Sequence, residues 1–250
     1  MHDIENERNL KNAIELGHDQ ALNDQKRNDV FLLGDIHGDF TSIYTWLNKF
    51  AKQGDVLIQL GDFGAGFIDI VEVHKLSAAV EKRGVKIYIV RGNHDVPEWF
   101  NMCVDVGPIS FVGDYTTINI NGLKYQLVGG AVSIDRCMRR EGYDYWKGEQ
   151  FYLIDEKVHR DVDVLITHTA PNEARPFRGM GPHPSIESYY SKDAALKSDL
   201  EEESKNMQKL FEIVQPKLWA FGHFHKYSRK TINNTEFLCL GIDEIEMVRL

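Results

Sequence analysis

Five short segments hold most of the residues in this chain that could do chemistry: GDIHGD at 34–39, GDFG at 61–64, GNHD at 92–95, THTAP at 167–171 and GHFH at 222–225. Each sets Asp, Asn or His beside Gly or Pro, directly after a run of apolar residues. Loops at the ends of buried strands present side chains in this way when they ligate metal. The candidate ligands are Asp35, His37, Asp62, Asn93, His168, His223 and His225. Asp and Asn offer oxygen and His offers nitrogen. That mixture suits Mn²⁺, Fe or Zn²⁺, whereas Mg²⁺ and Ca²⁺ usually take oxygen alone. Mn²⁺ is therefore the leading expectation, with Fe, Zn²⁺, Ni²⁺ and Mg²⁺ as alternatives. The set is rich enough for two divalent metal ions. Two cations ~3.5–4 Å apart need a bridging carboxylate, and Asp62, central in the series, is the expected bridge.

The elements that must carry these loops can be read from the apolar pattern. Runs at Val30–Leu33, Val56–Leu60 and Val85–Val90 end at the first three segments. Between them, Ile43, Trp46, Leu47 and Phe50 recur at helical spacing, as do Ile70, Val73, Leu76 and Val80. Asp39 stands where the first helix wants an N-cap, and Gly84 closes the second. Continuous apolar strands joined by helical crossovers predict a βαβαβ unit with a buried parallel sheet. The middle of the chain predicts shorter strands at Ser110–Val112, Thr116–Ile120 and Lys124–Val128, with Asn121-Gly122 as a hairpin turn. Residues 129–150 are irregular. Val162–Ile166 predicts a strand that ends at His168, and Leu218–Phe221 one that ends at GHFH. Residues 171–190 form a Pro- and Gly-bearing stretch of a length that is unusual unless the loop is functional or disordered. Residues 191–213 predict a polar-faced helix, with Glu201–Glu203 on its solvated side. The tail, over Thr231-Ile232, Phe237–Gly241 and Ile245–Leu250, predicts an antiparallel ending. In a parallel α/β sheet, ligands collect outside the carboxyl ends of the strands, so the five loops are expected to converge.

The bulk properties fit this picture. A chain of 250 residues with 42% hydrophobic and 27% charged content is that of one large globular domain. Residues 1–28 are highly polar and are expected to be an N-terminal extension to a domain spanning 29–250. A net charge of −9 supplies no global field for long duplex nucleic acid. Three cysteines without metal or disulfide spacing predict a reducing, cytoplasmic setting. No apolar run approaches the ~18 residues that span a membrane.

The order DxHG, GD, GNHD, a lone His and GHxH resembles the calcineurin-like metallophosphoesterase superfamily over roughly residues 30–225. The resemblance implies an α/β fold of two facing mixed sheets flanked by helices, with metals at one edge. It implies Asp35, His37, Asp62 and His225 on one ion, and Asp62, Asn93, His168 and His223 on the other. His94 matches the family's catalytic histidine, which is not a ligand. Asp95 is placed with it, either orienting the imidazole or starting the next helix. The implied reaction is hydrolysis of phosphate esters. Two ions lower the pKa of a water, the resulting hydroxide attacks phosphorus, and His94 protonates the leaving oxygen.

The chain also departs from one branch. Ser/Thr phosphoprotein phosphatases carry GDxxDRG, whereas this sequence reads GDFGAGF. Ala65 and Gly66 thus replace the Asp that orients the histidine and the Arg that grips phosphate. Substitute guanidinium forks are sought among Arg136, Arg139, Arg140, Arg175 and Arg178, with Arg136 first. Its GGA-S-DR setting resembles phage and bacterial phosphoesterases. The expected substrates are phosphomonoesters: a phosphorylated small molecule, a nucleotide or a phosphoprotein. A phosphodiesterase or nuclease acting on cyclic nucleotides or nucleic-acid ends is the alternative, and a non-catalytic scaffold on the same fold is the remote one.

Overall fold

The computed structural model describes residues 28–176 and 186–250. Arg178 and nearly all of the expected N-terminal extension lie outside them. The first sheet is built from β1 (Val30–Leu33), β2 (Val56–Gln59), β3 (Lys86–Ile89), β4 (Asp105–Val106), β5 (Ile109–Phe111) and β12 (Ile245–Met247). Their spatial order is β12-β1-β2-β3-β5-β4. The second sheet holds β6 (Thr116–Ile120), β7 (Leu123–Val128), β8 (Val164–Thr167), β9 (Leu218–Phe221), β10 (Ser228–Ile232) and β11 (Thr235–Cys239), in the order β10-β11-β9-β8-β7-β6. In each sheet four central strands run parallel and the two edge strands run antiparallel to their neighbours.

The strands read as unbroken apolar runs because both of their faces are covered. Val30, Leu32, Val56 and Ile58 meet Leu127, Ile166, Ala220 and Leu238 between the two sheets. The alternate residues Phe31, Leu33, Leu57 and Ile87 point outward. There they pack against Trp46 of α1 (Thr41–Lys49) and Val73, Leu76 and Val80 of α2 (Ile70–Arg83). On the other side, Leu165, Trp219 and Phe237 pack against Met207, Leu210 and Phe211 of α5 (Leu196–Ile213). Two short helices, α3 (Pro97–Asn101) and α4 (Ile186–Tyr190), complete the helical layers. The outcome is the sandwich of two mixed sheets flanked by helices that the motif order implied.

Local signals set the element ends. Asp69 caps α2 by accepting the Val71 N–H at 2.9 Å, and Gly84 ends it in the left-handed region at φ 71°. Asn121 and Gly122 both have positive φ, as the tight β6–β7 turn requires. Three expectations shift. The N-cap of α1 is Phe40, while Asp39 one residue earlier still accepts the Thr41 N–H at 2.9 Å. The polar helix begins at Leu196, because Asp193 takes the amides of Ala195 and Leu196 before it. The tail does not form one antiparallel unit. β10 and β11 do pair antiparallel, but β11 runs parallel to β9 and β12 crosses over to β1.

Candidate metal centre

All seven candidate ligands lie just beyond the carboxyl ends of β1, β2, β3, β8 and β9. Because the two sheets face each other with those ends together, loops far apart in sequence meet at one edge. His225 Nε2 lies 3.1 Å from Asp35 Oδ2 and 3.1 Å from His37 Nε2. Asp62 Oδ2 is 4.0 Å from His37 Nδ1, and its Oδ1 is 3.4 Å from His168 Nε2. Asn93 Oδ1 is 2.9 Å from both His168 Nε2 and His223 Nδ1. Two groups of donors result, and Asp62 touches both.

The Asp35, His37, Asp62 and His225 group has one donor atom per residue, all within 4.8 Å of one another. These donors fit a divalent cation: carboxylate oxygens and imidazole nitrogens converge with no intervening hydrophobic group. The Asn93, His168 and His223 group fits equally in its chemistry. His168 Nδ1 lies 2.7 Å from the Leu60 carbonyl. A proton held there leaves Nε2 as the ligating lone pair, the arrangement that metal-bound imidazoles adopt.

Backbone strain concentrates at the same place. His37, Asp62, His223 and His225 have φ of 45°, 57°, 67° and 53°. A non-glycine residue in the left-handed region costs of order 1–3 kcal/mol and persists where the surroundings enforce it. Four such residues in one cluster mark a site where side-chain direction outweighs backbone comfort. The neighbouring glycines make room for it. A Cβ on Gly92 would lie 2.1 Å from Asp62 Oδ1, and one on Gly222 would lie 2.2 Å from Asp35 Oδ1. The glycines of the third and fifth motifs thus house the ligands Asp62 and Asp35 of the second and first.

Electrostatics shows a centre short of positive charge. Burial opposes a charged His168, yet the Asp62 carboxylate outweighs it and pushes the imidazole up to about 9. Burial likewise works against ionised Asp62, but His168, His94 and His37 hold its carboxyl well below the usual range. His223 moves the opposite way, held well below its ordinary value by burial and by His168. A proton on His168 is one answer to the buried Asp62 charge; a divalent cation is the other.

His94 faces this centre, with its ring 5.7 Å from that of His37. Its Nε2 accepts from Asn93 Nδ2 at 3.1 Å, and its Nδ1 finds no hydrogen-bond partner among the described residues. Burial lowers its pKa. Asp95 does not orient it, which corrects the first of the two roles expected. The fully buried Asp95 carboxylate instead accepts the backbone N–H groups of Phe63, Gly64, Ala65 and Gly92 at 2.8–3.2 Å. Nor does it cap the next helix, whose N-cap is Val96. It ties the second motif to the third.

The arginines separate clearly. A cavity of about 850 Å³ opens beside the centre, lined by Asp62, Asn93, His94, Arg139, Arg175 and His223 among others. Arg136, the first choice from sequence, does not line it. Its guanidinium is held by Asp193 at 2.6 Å and Asp199 at 2.6 Å. Arg140 is exposed and lies over the Tyr143 ring. Arg139 lines the cavity beside His94 and is oriented by both oxygens of Asp135, at 2.7 and 2.8 Å. Arg175 lines it too, 3.4 Å from Glu203.

Glu203 overturns another expectation. It is not on the solvated side of its helix but only 3% exposed. It accepts the Val132 N–H at 2.7 Å and the Thr169 hydroxyl at 3.3 Å, joining two loops of the site to α5. Ser133, the Ser of the GGA-S-DR stretch, and Glu149 are both buried and also support the centre, and the sequence pattern assigned neither of them a role.

A two-sheet sandwich with an oxygen and nitrogen donor cluster at one edge is the arrangement that the motif order implied for a phosphoesterase. The sequence profile of the calcineurin-like phosphoesterases matches residues 29–227, and the chain belongs to that family. No curated protein sequence matches it significantly. One solved structure superposes over 89% of this chain and 98% of its own at a TM-score of 0.50 and 12% identity. The chain is also similar to phosphopantetheinyl hydrolase from Mycobacterium tuberculosis, at 13% identity and a TM-score of 0.45 over 87% of this chain and 90% of that one. It is similar again to Vps29 of Entamoeba histolytica, solved with zinc, at 11% identity and a TM-score of 0.35 over 86% and 74%. At 12% identity the first of these likenesses speaks to the fold alone. Among the described residues, no helix is long and apolar enough to cross a membrane.

Proposed function

We propose that this protein hydrolyses phosphomonoesters with two divalent metal ions, manganese being the working choice. The observation that carries the reading is the meeting of Asp35, His37, Asp62 and His225 within 4.8 Å at the strand ends, with Asn93, His168 and His223 directly beside them. Bound there, the ions supply a Lewis-acid hold on phosphoryl oxygens and a water acidic enough to ionise near neutral pH. Asp62, lying between the two donor groups, serves both.

The remaining steps fall to the protein. His94 stands at the cavity wall and carries the proton for the leaving oxygen. Burial lowers its pKa, which makes the protonated imidazole a stronger acid but a scarcer one at neutral pH. Arg139, aimed by Asp135, presents a fork to non-bridging phosphate oxygens. A monoester dianion carries more charge than a diester, and an arginine beside two cations answers that extra charge. This favours the monoester reading over the diester one.

The test is a substrate panel. Metal-stripped protein is reconstituted with Mn²⁺ and offered p-nitrophenyl phosphate, bis-p-nitrophenyl phosphate and cyclic nucleotides, with and without chelator. Chelator-sensitive turnover of the monoester alone is expected. Turnover confined to diesters would transfer the assignment to a phosphodiesterase, and inertness with every metal would leave a non-catalytic scaffold.

A further inference from the structure

Asn93 is the one amide among the seven candidate ligands, and its two ends differ: Oδ1 can bind a cation and Nδ2 cannot. Resting on the two-ion reading above, we propose that Ser133 and Glu149 are positioning residues that fix the Asn93 amide with Oδ1 toward the metal.

With Glu149 ionised, the direction of each hydrogen bond follows from the one before it. The Glu149 carboxylate accepts the Ser133 N–H at 2.8 Å and the Ser133 Oγ–H at 2.8 Å. Having given its only proton to Glu149, Ser133 Oγ can only accept from Asn93. It takes a hydrogen from Asn93 Nδ2 at 2.8 Å. The second Nδ2 hydrogen goes to His94 Nε2 at 3.1 Å. Oδ1 is then the end that faces His168 Nε2 and His223 Nδ1. A flipped amide would set two N–H groups against the imidazoles and leave Ser133 Oγ and Asn93 Oδ1 as facing acceptors.

The relay is buried and anchored. Asn93, Ser133 and Glu149 are 2%, 3% and 0% exposed. Arg91 Nη1 and the Ala131 N–H both donate to the Glu149 carbonyl, at 2.8 and 3.1 Å. The Val132 amide between them is held by Glu203. Glu149 forms no ion pair with an arginine or lysine among the described residues. A buried carboxylate without a cation is costly, and apolar packing would fill the space more cheaply. A directional role accounts for its presence.

The test reads metal binding as well as turnover. Wild type, Ser133→Ala, Glu149→Gln and Asn93→Ala are stripped and titrated with Mn²⁺ by calorimetry, and the loaded samples are examined by EPR. Wild type is expected to bind two ions with an exchange-coupled signal. Ser133→Ala and Glu149→Gln are expected to keep one ion at wild-type affinity. They should bind the second roughly 10–100-fold more weakly, with the coupled signal giving way to that of an isolated ion. Glu149→Gln changes shape little and carries the test if Ser133→Ala misfolds.

The double variant Ser133→Ala, Asn93→Asp separates positioning from packing. A carboxylate accepts at both ends and needs no orienting, so the coupled pair should return. A double variant as weak as Ser133→Ala would overturn the proposal. So would unchanged affinity in both single variants while wild type binds two ions. A wild type that takes up no manganese would overturn the two-ion reading, and this inference with it.

Discussion

His168 and Asn93 are fully packed, whereas the side chains of His37 and His225 on the other half of the same centre are 31% and 44% exposed. On the buried half, hydrogen bonds from behind set two donors, the Leu60 carbonyl for His168 and Ser133 and Glu149 for Asn93, while His223 shares the left-handed backbone of the open half. On the open half, His37 and His225 lean on Asp35, Asp62 and each other, and their direction comes from left-handed backbone. One half is preorganised by the core; the other is shaped by loop strain at the mouth of the cavity. The contrast teaches that a centre can be symmetric in ligand count and unequal in rigidity.

Asp62 belongs to both halves, so its loss should erase the contrast and give the largest effect. Asp62→Asn should lose both manganese ions by calorimetry. It forfeits several kcal/mol of transition-state stabilisation, roughly a thousandfold or more in kcat/KM. Retention of one ion at full affinity would assign Asp62 to a single half.

The contrast itself is measured by removing one histidine from each half. Metal-free His168→Ala vacates a buried site, breaks the Asp62 contact and strands the Leu60 carbonyl. Urea unfolding should show a loss of about 2–4 kcal/mol. Metal-free His225→Ala, at a half-exposed position, should lose no more than about 1 kcal/mol. Equal losses would mean that the halves are alike.

The smallest effect concerns Glu149, which burial pushes up to about 7. Its folded pKa lies above its ordinary 4.5, so between those values the unfolded chain has already released a proton that the folded one retains. Stability contributed by this group is therefore present below pH 4.5 and lost as pH rises to about 7. In metal-free protein the unfolding free energy of wild type relative to Glu149→Gln should fall across that window, by up to about 3 kcal/mol. A flat difference would mean that Glu149 ionises normally in the fold.

The candidate ligands were legible because four of the five motifs join a donor residue to a glycine, and the fifth sets His168 just before Pro171, each directly after an apolar run. The parallel core was legible because strands covered on both faces must be apolar throughout. What stayed hidden depended on partners far along the chain. Arg136 looked available for phosphate until Asp193 and Asp199, 57 and 63 residues on, claimed it. Glu203 follows Leu196 by seven residues and precedes Met207 by four, so helical phase puts it on the buried face; its acidic neighbours Glu201 and Glu202 masked that signal. Ser133 and Glu149 lie in an irregular segment with no period from which to read a face. The crossing of β12 to β1 leaves no local trace, since it depends on which sheet edge is vacant.

That crossing has a consequence for biosynthesis. β1, whose end carries Asp35, waits for a neighbour that is translated some two hundred residues later. Until that segment leaves the ribosome, the nascent sheet shows an unpaired edge, the kind of surface that recruits chaperones or sticks to other chains. On the two-ion reading, metal loading should therefore wait for synthesis of residues 245–247, and products that stop short of them should emerge without a finished centre.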